Sequence, residues 1–148
     1  MSIQGVAHIG LTVTDVEKSI GFYRDVLGLE LVGRISMEGP NADELFGAKG
    51  CRAKIAYMST GQGQPPLELI EFEGRGPDLG RAPGLFAPSI SEVCLYSDDI
   101  WSEYRRLVEL GVEFLSEPKE FDFTSQGFSK TTAVYLRDPD GVIIELYG

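Results

Sequence analysis

Polar and apolar residues alternate in two stretches of this chain, in the pattern of a half-buried β-strand. In the first stretch, residues 6–13, His8 falls on one face with Val6, Gly10 and Thr12, and the opposite face carries Ala7, Ile9, Leu11 and Val13. In the second stretch, residues 90–96, Glu92 falls on the corresponding face. We therefore expect His8 and Glu92 at equivalent positions of two similar strands.

A helical pattern follows each of these strands. Thr14 and Glu17 have the spacing of a capping box, and Gly28 stands where a left-handed residue would end the helix. In the second stretch Asp98 and Gly111 have the same places. A further strand is predicted after each glycine, over "LELV" and "VEFL". The apolar positions that recur at helical spacing are Val16, Ile20, Tyr23 and Leu27 in the first helix and Ile100, Tyr104 and Leu107 in the second.

The two stretches are copies of one another, so the chain contains an internal repeat. Residues 7–32 align with residues 91–115, and the second copy lacks one residue inside its helix. Both copies close with a strand, a turn and a strand. Glu68 and Glu145 fall at matching points of the closing strands, eleven residues after Tyr57 and ten residues after Tyr135 respectively.

Three stretches have no regular period. Residues 74–89 are rich in Gly and Pro, which predicts a linker between a first module, residues 1–73, and a second module, residues 90–148. The other two stretches, residues 36–50 and 116–130, are either loops that cover a substrate or disordered segments. The first of them contains "NADELFG", which is consistent with one helical turn.

Composition narrows the possible partners. The chain has 148 residues with 43% hydrophobic content, enough for one globular domain or two small modules with a common core. Its net charge of -10 disfavours nucleic acid and anionic membranes, so we expect a small-molecule or protein partner. No apolar run approaches the roughly 18 residues of a membrane span, which favours a cytoplasmic protein. Cys51 and Cys94 match no metal or disulfide spacing and are expected to be reduced.

The candidate chemistry rests on His8, Glu68, Glu92 and Glu145. His8 is the single histidine, so one chain cannot supply a two-histidine metal site. If the copies are related by a pseudo-twofold axis, the four side chains converge, and one imidazole with up to three carboxylates suits Mn, Fe, Co, Ni, Zn or Mg. The alternative is that the glutamates are solvated strand residues and that Glu92 is a surface or hydrogen-bonding group. Cys94 is expected to line the cavity.

These motifs resemble the vicinal oxygen chelate superfamily, which includes glyoxalases, bleomycin and fosfomycin resistance proteins, methylmalonyl-CoA epimerases and extradiol dioxygenases. The resemblance rests on "VAHIGLTVTDVEKSIGFYRDVLGLELV", "LELIEF", "ISEVCLYSDDI" and "LRDPDGVIIELYG". It implies an α+β fold of two tandem β-α-β-β-β modules whose curled mixed sheets enclose a shared central metal site. The implied ligand positions are His8, Glu68, Glu92 and Glu145. In the family the second module usually opens with a histidine, where this chain has Glu92.

The resemblance also implies a function: a divalent-metal-dependent lyase or isomerase that removes a proton next to a carbonyl and stabilises the resulting anion. Glu68 or Glu92 would be the base, and a homodimer is expected. The alternatives are a non-catalytic small-molecule binding protein and a ring-opening or dioxygenase member. A histidine replaced by Glu92 weakens the dioxygenase reading. The residues expected to contact the substrate are Thr12, Phe72, Cys94, Tyr96, Phe121, Phe123 and Tyr147.

Overall fold

The computed structural model describes residues 4–74, 86 and 90–148 of the chain. It divides into two compact units, residues 1–79 and 80–148, which are described separately below. Almost all of the linker predicted at residues 74–89 lies outside the described residues. The predicted division into modules and linker therefore stays a prediction.

The first unit contains one four-stranded mixed sheet and two helices. Its strands follow the order β1-β4-β3-β2, with β1 parallel to β4 and the other pairs antiparallel. The elements in chain order are β1 (Ile9–Thr12), α1 (Val16–Gly21), β2 (Glu30–Met37), α2 (Pro40–Phe46), β3 (Arg52–Ser59) and β4 (Leu67–Glu73). The predicted helical turn in "NADELFG" is confirmed as α2.

The second unit repeats this topology. Its strands follow the order β5-β8-β7-β6, and again only the first pair is parallel. The elements are β5 (Val93–Tyr96), α3 (Ile100–Glu109), β6 (Lys119–Asp122), β7 (Lys130–Arg137) and β8 (Ile143–Tyr147). The predicted fold class, α+β with two tandem β-α-β-β-β modules, is confirmed.

The helix caps differ from the prediction by one residue. The side chain of Asp15, whose backbone is extended, accepts a hydrogen bond from the Lys18 amide at 3.0 Å. The capping box predicted from Thr14 and Glu17 is therefore wrong, because the helix begins one residue later. The amide of Val16 is bound at 2.8 Å by a carboxylate oxygen of Glu71 on β4.

In the second unit the cap is Asp99 rather than Asp98. Its side chain accepts a hydrogen bond from the Ser102 amide at 2.9 Å. This hydrogen bond lowers the pKa of the Asp99 carboxyl. The caps of the two helices thus correspond, since Asp15 precedes α1 as Asp99 precedes α3.

The residue that the first copy has in excess is accommodated in a π-helical turn. Helix α1 continues as a π-helix over Phe22–Val26, where the Leu27 amide donates to the Phe22 carbonyl at 3.0 Å. A turn with this five-residue hydrogen bond holds more residues than an α-helical turn. The insertion is absorbed within the helix, and both helices still end before a left-handed glycine, Gly28 or Gly111, each with φ of 78°.

The strand predicted over "VEFL" is not formed. Phe114 makes only an isolated bridge to Leu136, and the Leu115 amide donates to the Tyr135 carbonyl at 3.0 Å. The edge strand is instead β6, inside the stretch 116–130 that was predicted to be irregular. All four residues of β6 are exposed, so burial imposes no alternation that the sequence could reveal.

One face of each sheet carries the apolar core. In the first unit Leu67 and Leu69 of β4 are fully buried on the same face as Glu71, which binds the start of α1. In the second unit Ile144 and Leu146 of β8 are the corresponding buried residues. Because side chains alternate along a strand, Glu68 and Glu145 lie on the opposite faces. No helix among the described residues is long and apolar enough to span a membrane.

We expect Gly28→Ala to lower the free energy of unfolding by about 1 to 2 kcal/mol, because a Cβ is strained at a left-handed backbone. Gly33→Ala is the matched control: Gly33 lies in β2 without a positive φ, and no atom stands within 4 Å of a Cβ built there. Urea unfolding of both variants measures the difference. Equal stabilities of the two variants would contradict the assigned helix end.

Candidate functional site

Strand pairing surrounds Glu68 with residues of both neighbouring strands. Glu68 is paired with Gly10 of β1 on one side and with Tyr57 of β3 on the other. Strand β1 is shorter than the alternation predicted, so that His8 lies one residue before it. The Nε2 atom of His8 is 3.1 Å from Oε2 of Glu68. Only 7% of Glu68 is exposed. The structure therefore brings His8 and Glu68 together, as the repeat predicted for the first unit.

Tyr57 contacts both members of this pair. Its side chain lies directly across from Glu68 in the strand register, and its hydroxyl group interacts with the Glu68 carboxylate. Its ring meets the His8 ring edge-on, with 6.2 Å between the ring centroids. Burial, and then the hydrogen bond and charge of Glu68, raise the pKa of the Tyr57 hydroxyl. A buried carboxylate costs several kcal/mol unless it is compensated, and Tyr57 and His8 provide that compensation.

The second unit has an equivalent row of residues. Glu145 of β8 is paired with Cys94 of β5 and with Tyr135 of β7. Glu92 is half-buried and lies one residue before β5. The thiol of Cys94 lies beside Glu145 in the strand register and interacts with its carboxylate. Four positions thus correspond between the units: His8 with Glu92, Gly10 with Cys94, Glu68 with Glu145, and Tyr57 with Tyr135.

Partial burial of the thiol and the carboxylates of the second row hold Cys94 in its neutral form, although the residue as a whole is exposed. Partial burial, the charge of Glu145, the hydrogen bond to Glu145 and the charge of Glu92 together raise the pKa of Cys94 to about 12. Burial, and then the charges of Glu145, Glu92 and Cys94, raise the pKa of Tyr135. Cys94 is therefore a weak hydrogen-bond donor here and not an activated nucleophile.

The residues predicted to contact a substrate are divided between the units. Thr12 and Phe72 lie on the Glu68 face of the first sheet, and the Phe72 ring meets the Phe46 ring edge-on at 5.2 Å. On the Glu145 face of the second sheet, the register aligns Cys94, Tyr96, Tyr147 and Phe121.

Three aromatic side chains on this face of the second sheet are open to solvent. Tyr96 is 80% exposed, Phe121 46% and Tyr147 38%. Phe123, just after β6, stacks on Phe121 with 5.7 Å between the ring centroids and 5° between the planes. These flat, accessible surfaces could stack on a planar ligand.

Sequence comparison now identifies the fold family. The model of the Glyoxalase/Bleomycin resistance protein/Dioxygenase superfamily matches residues 5–146. The chain belongs to this superfamily. The relatives that match its sequence include YwbC of Bacillus subtilis, an uncharacterised protein that is 27% identical over 142 residues, with 96% of this chain and 95% of YwbC covered. A virulence protein of Salmonella typhimurium is 27% identical over 150 residues, with 99% of this chain and 85% of that protein covered.

Solved structures agree with this assignment at the level of the fold. A glyoxalase family protein from Bacillus cereus has a TM-score of 0.84 and 24% identity, with 99% of this chain and 97% of that chain covered. The trypanothione-dependent glyoxalase I of Leishmania major has a TM-score of 0.64 and 20% identity, with 97% and 86% covered. At sequence identities this low, the structural similarity shows that the chain has a glyoxalase fold and does not assign it a specific activity.

Superfamily members commonly use a divalent metal, and the pair in the first unit fits such an ion. Two neighbouring ligand atoms, each about 2.1 Å from an ion and at right angles to one another, lie about 3.0 Å apart. The measured separation of His8 Nε2 from Glu68 Oε2 is 3.1 Å. Among residues 4–74, 86 and 90–148, however, no three His, Cys, Asp or Glu side chains are grouped closely enough to hold a metal. The four-ligand site stays a prediction.

Sequence reasoning gave no role to Tyr57 and Tyr135, which flank the two closing glutamates. The available signal was their recurrence at one position of the repeat, ten or eleven residues before each glutamate. Sequence reasoning gave no role to Glu71 either. Glu71 binds the start of α1, which only the packing of the helix on the sheet could reveal.

We expect Cys94 to react with iodoacetamide at pH 8 more than about 100-fold more slowly than an ordinary cysteine, because the thiolate is the reactive form. Glu145→Gln removes the negative charge of Glu145, which is one cause of the raised pKa of Cys94. Alkylation of Cys94 should therefore become several-fold faster in this variant. Peptide mass spectrometry distinguishes Cys94 from the buried Cys51. Alkylation of wild-type Cys94 at the rate of a free thiol would contradict the assigned environment.

Proposed function

We propose that this protein is a divalent-metal-dependent enzyme that abstracts a proton next to a carbonyl group of a small, oxygen-rich substrate, in a lyase or isomerase reaction. The observation that carries the proposal is the buried Glu68 carboxylate held 3.1 Å from the only imidazole of the chain. Membership of a superfamily that contains glyoxalases supports the reaction class. The similar Leishmania major structure is a glyoxalase I, from which we carry over the reaction class and not the substrate.

The proposed metal ligands are His8, Glu68 and Glu145, with Glu92 as a further candidate. The bound cation would supply Lewis acidity, which polarises a carbonyl and makes its neighbouring proton easier to remove. Three carboxylates around one dication would leave a net negative site and a weak Lewis acid. We therefore assign one of the four residues a different task, that of the base.

We propose Glu92 as the base, with Glu68 as the second candidate. Two contacts hold the Glu68 carboxylate, one from Tyr57 and one from His8, which suits a fixed ligand. Glu92 lies outside the regular strand and is half-buried, so its side chain has room to approach a substrate. A positioned carboxylate base contributes about 10²- to 10⁴-fold to a proton transfer.

Deuterium exchange tests the proposal. Metal-free protein and protein loaded with Mn²⁺ would be incubated in D₂O with small 2-hydroxy and 2-oxo carbonyl compounds, and incorporation next to the carbonyl would be followed by NMR. We expect exchange only with metal, a loss of about 10²-fold or more in Glu92→Gln, and no loss in Glu109→Gln, whose carboxylate is exposed on α3.

Two results of this experiment would count against the proposed enzyme. Exchange that is undiminished without metal would exclude the metal-dependent mechanism. Full activity in Glu92→Gln together with a loss in Glu68→Gln would transfer the role of base to Glu68.

A second candidate function is a binding protein that sequesters a planar small molecule without chemistry. The exposed aromatic side chains Tyr96, Tyr147 and Phe121 favour it, as does Glu92 at a position where the family usually has histidine. Metal analysis separates the two candidates. A purified protein without stoichiometric metal, and without a higher melting temperature in Mn²⁺, Ni²⁺ or Zn²⁺, would favour the binding protein. A homodimer and a cytoplasmic location stay predictions.

A further inference from the structure

The two equivalent rows differ in the group that binds the closing glutamate. In the first unit Tyr57 lies directly across from Glu68 in the antiparallel pair of β3 and β4, and its hydroxyl group interacts with the carboxylate. In the second unit Cys94 lies beside Glu145 in the parallel pair of β5 and β8, and its thiol interacts with the carboxylate. Gly10, which corresponds to Cys94, has no side chain with which to bind Glu68. In the first unit the polar partner of Glu68 therefore comes from β3, the antiparallel neighbour of β4.

Tyr57 is the residue that contacts both His8 and Glu68. It faces Glu68 across the two strands, its hydroxyl group interacts with the carboxylate, and its ring lies edge-on to the imidazole. Tyr57 is anchored within β3, whereas His8 lies outside the regular strand, with 47% of its side chain exposed. Tyr57 can thus restrict the orientation of a side chain that the backbone holds loosely.

We propose that Tyr57 is a positioning residue for the His8–Glu68 pair. Its hydroxyl keeps the Glu68 carboxylate turned toward Nε2 of His8, and its ring limits the rotation of the imidazole. The inference rests on the proposed function insofar as this pair binds a metal. Partners of metal ligands that fix ligand orientation typically change metal affinity about 10- to 100-fold when they are removed.

The repeat supplies a matched control for the test. Tyr57→Phe removes the hydroxyl group and keeps the ring. Tyr135→Phe removes the same atom at the same strand position beside Glu145, where Cys94 is the group that interacts with the carboxylate. Both variants would be compared with the wild-type protein after treatment with a chelator.

The first readout is the imidazole of His8, observed by long-range ¹H–¹⁵N NMR. Because His8 is the only histidine, every imidazole signal belongs to it. At pH 8, where an ordinary imidazole is neutral, we expect one tautomer with Nε2 protonated in the wild-type protein and in Tyr135→Phe. We expect a mixture of tautomers in Tyr57→Phe and also in Glu68→Gln, which removes the acceptor charge.

The second readout is Zn²⁺ affinity by calorimetry. We expect Tyr57→Phe to bind about 10- to 100-fold more weakly than the wild-type protein and Tyr135→Phe to bind within about threefold of it. In a Glu68→Gln background Tyr57→Phe should have no additional effect, because its action passes through Glu68.

A purely structural role for Tyr57 would give a different result. Tyr57→Phe would then lower the melting temperature while the His8 signals and the Zn²⁺ affinity stayed unchanged, which would overturn the proposal. If Tyr57→Phe does not fold, unchanged His8 signals in Glu68→Gln would overturn it as well. If the wild-type protein binds no Zn²⁺, the proposed metal function fails, and the His8 signals alone still decide whether Tyr57 positions the pair.

Discussion

The parallel pairing of the opening strand with the closing strand is the constraint on which the rest of each module depends. In the first unit it joins β1 to β4, and in the second it joins β5 to β8. A parallel connection requires a long crossover, which the intervening helix and strands provide. The pairing places the middle of the closing strand between two neighbours, so any polar residue there must find its partners on those neighbours.

Glu68 and Glu145 occupy these middle positions. Each carboxylate lies on the face opposite the apolar core and interacts with a polar group of an adjacent strand, Tyr57 in the first unit and Cys94 in the second. Because burial penalises an unpaired charge, these contacts are what allow a glutamate within a hydrophobic closing strand. The same burial that requires the partners also makes the carboxylate suited to binding a cation.

The two modules have diverged within one topology. The first absorbs an additional residue as a π-helical turn at Phe22–Val26 without moving the glycine that ends its helix. In the second module Glu92 and Cys94 stand at the positions of His8 and Gly10. A carboxylate thus stands in place of the imidazole, and a thiol in place of a glycine hydrogen. The first unit therefore holds its histidine–glutamate pair together, whereas the second unit is more acidic and carries the exposed aromatic side chains.

The sequence by itself determined the repeat, the order of elements in each module and the helix ends at Gly28 and Gly111. It also determined the matching positions of His8 with Glu92 and of Glu68 with Glu145. These features follow from periodicity and glycine conformation, which are local properties of the chain. Contacts between distant residues were decided by tertiary structure. Three features depend on which strands and helices lie next to one another after folding. They are the bond from Glu71 to the start of α1, the contact of Tyr57 with both His8 and Glu68, and the formation of strand β6 in place of "VEFL". An exposed edge strand has no buried face to impose alternation, and a hydrogen bond between strands depends on register, which no single strand encodes.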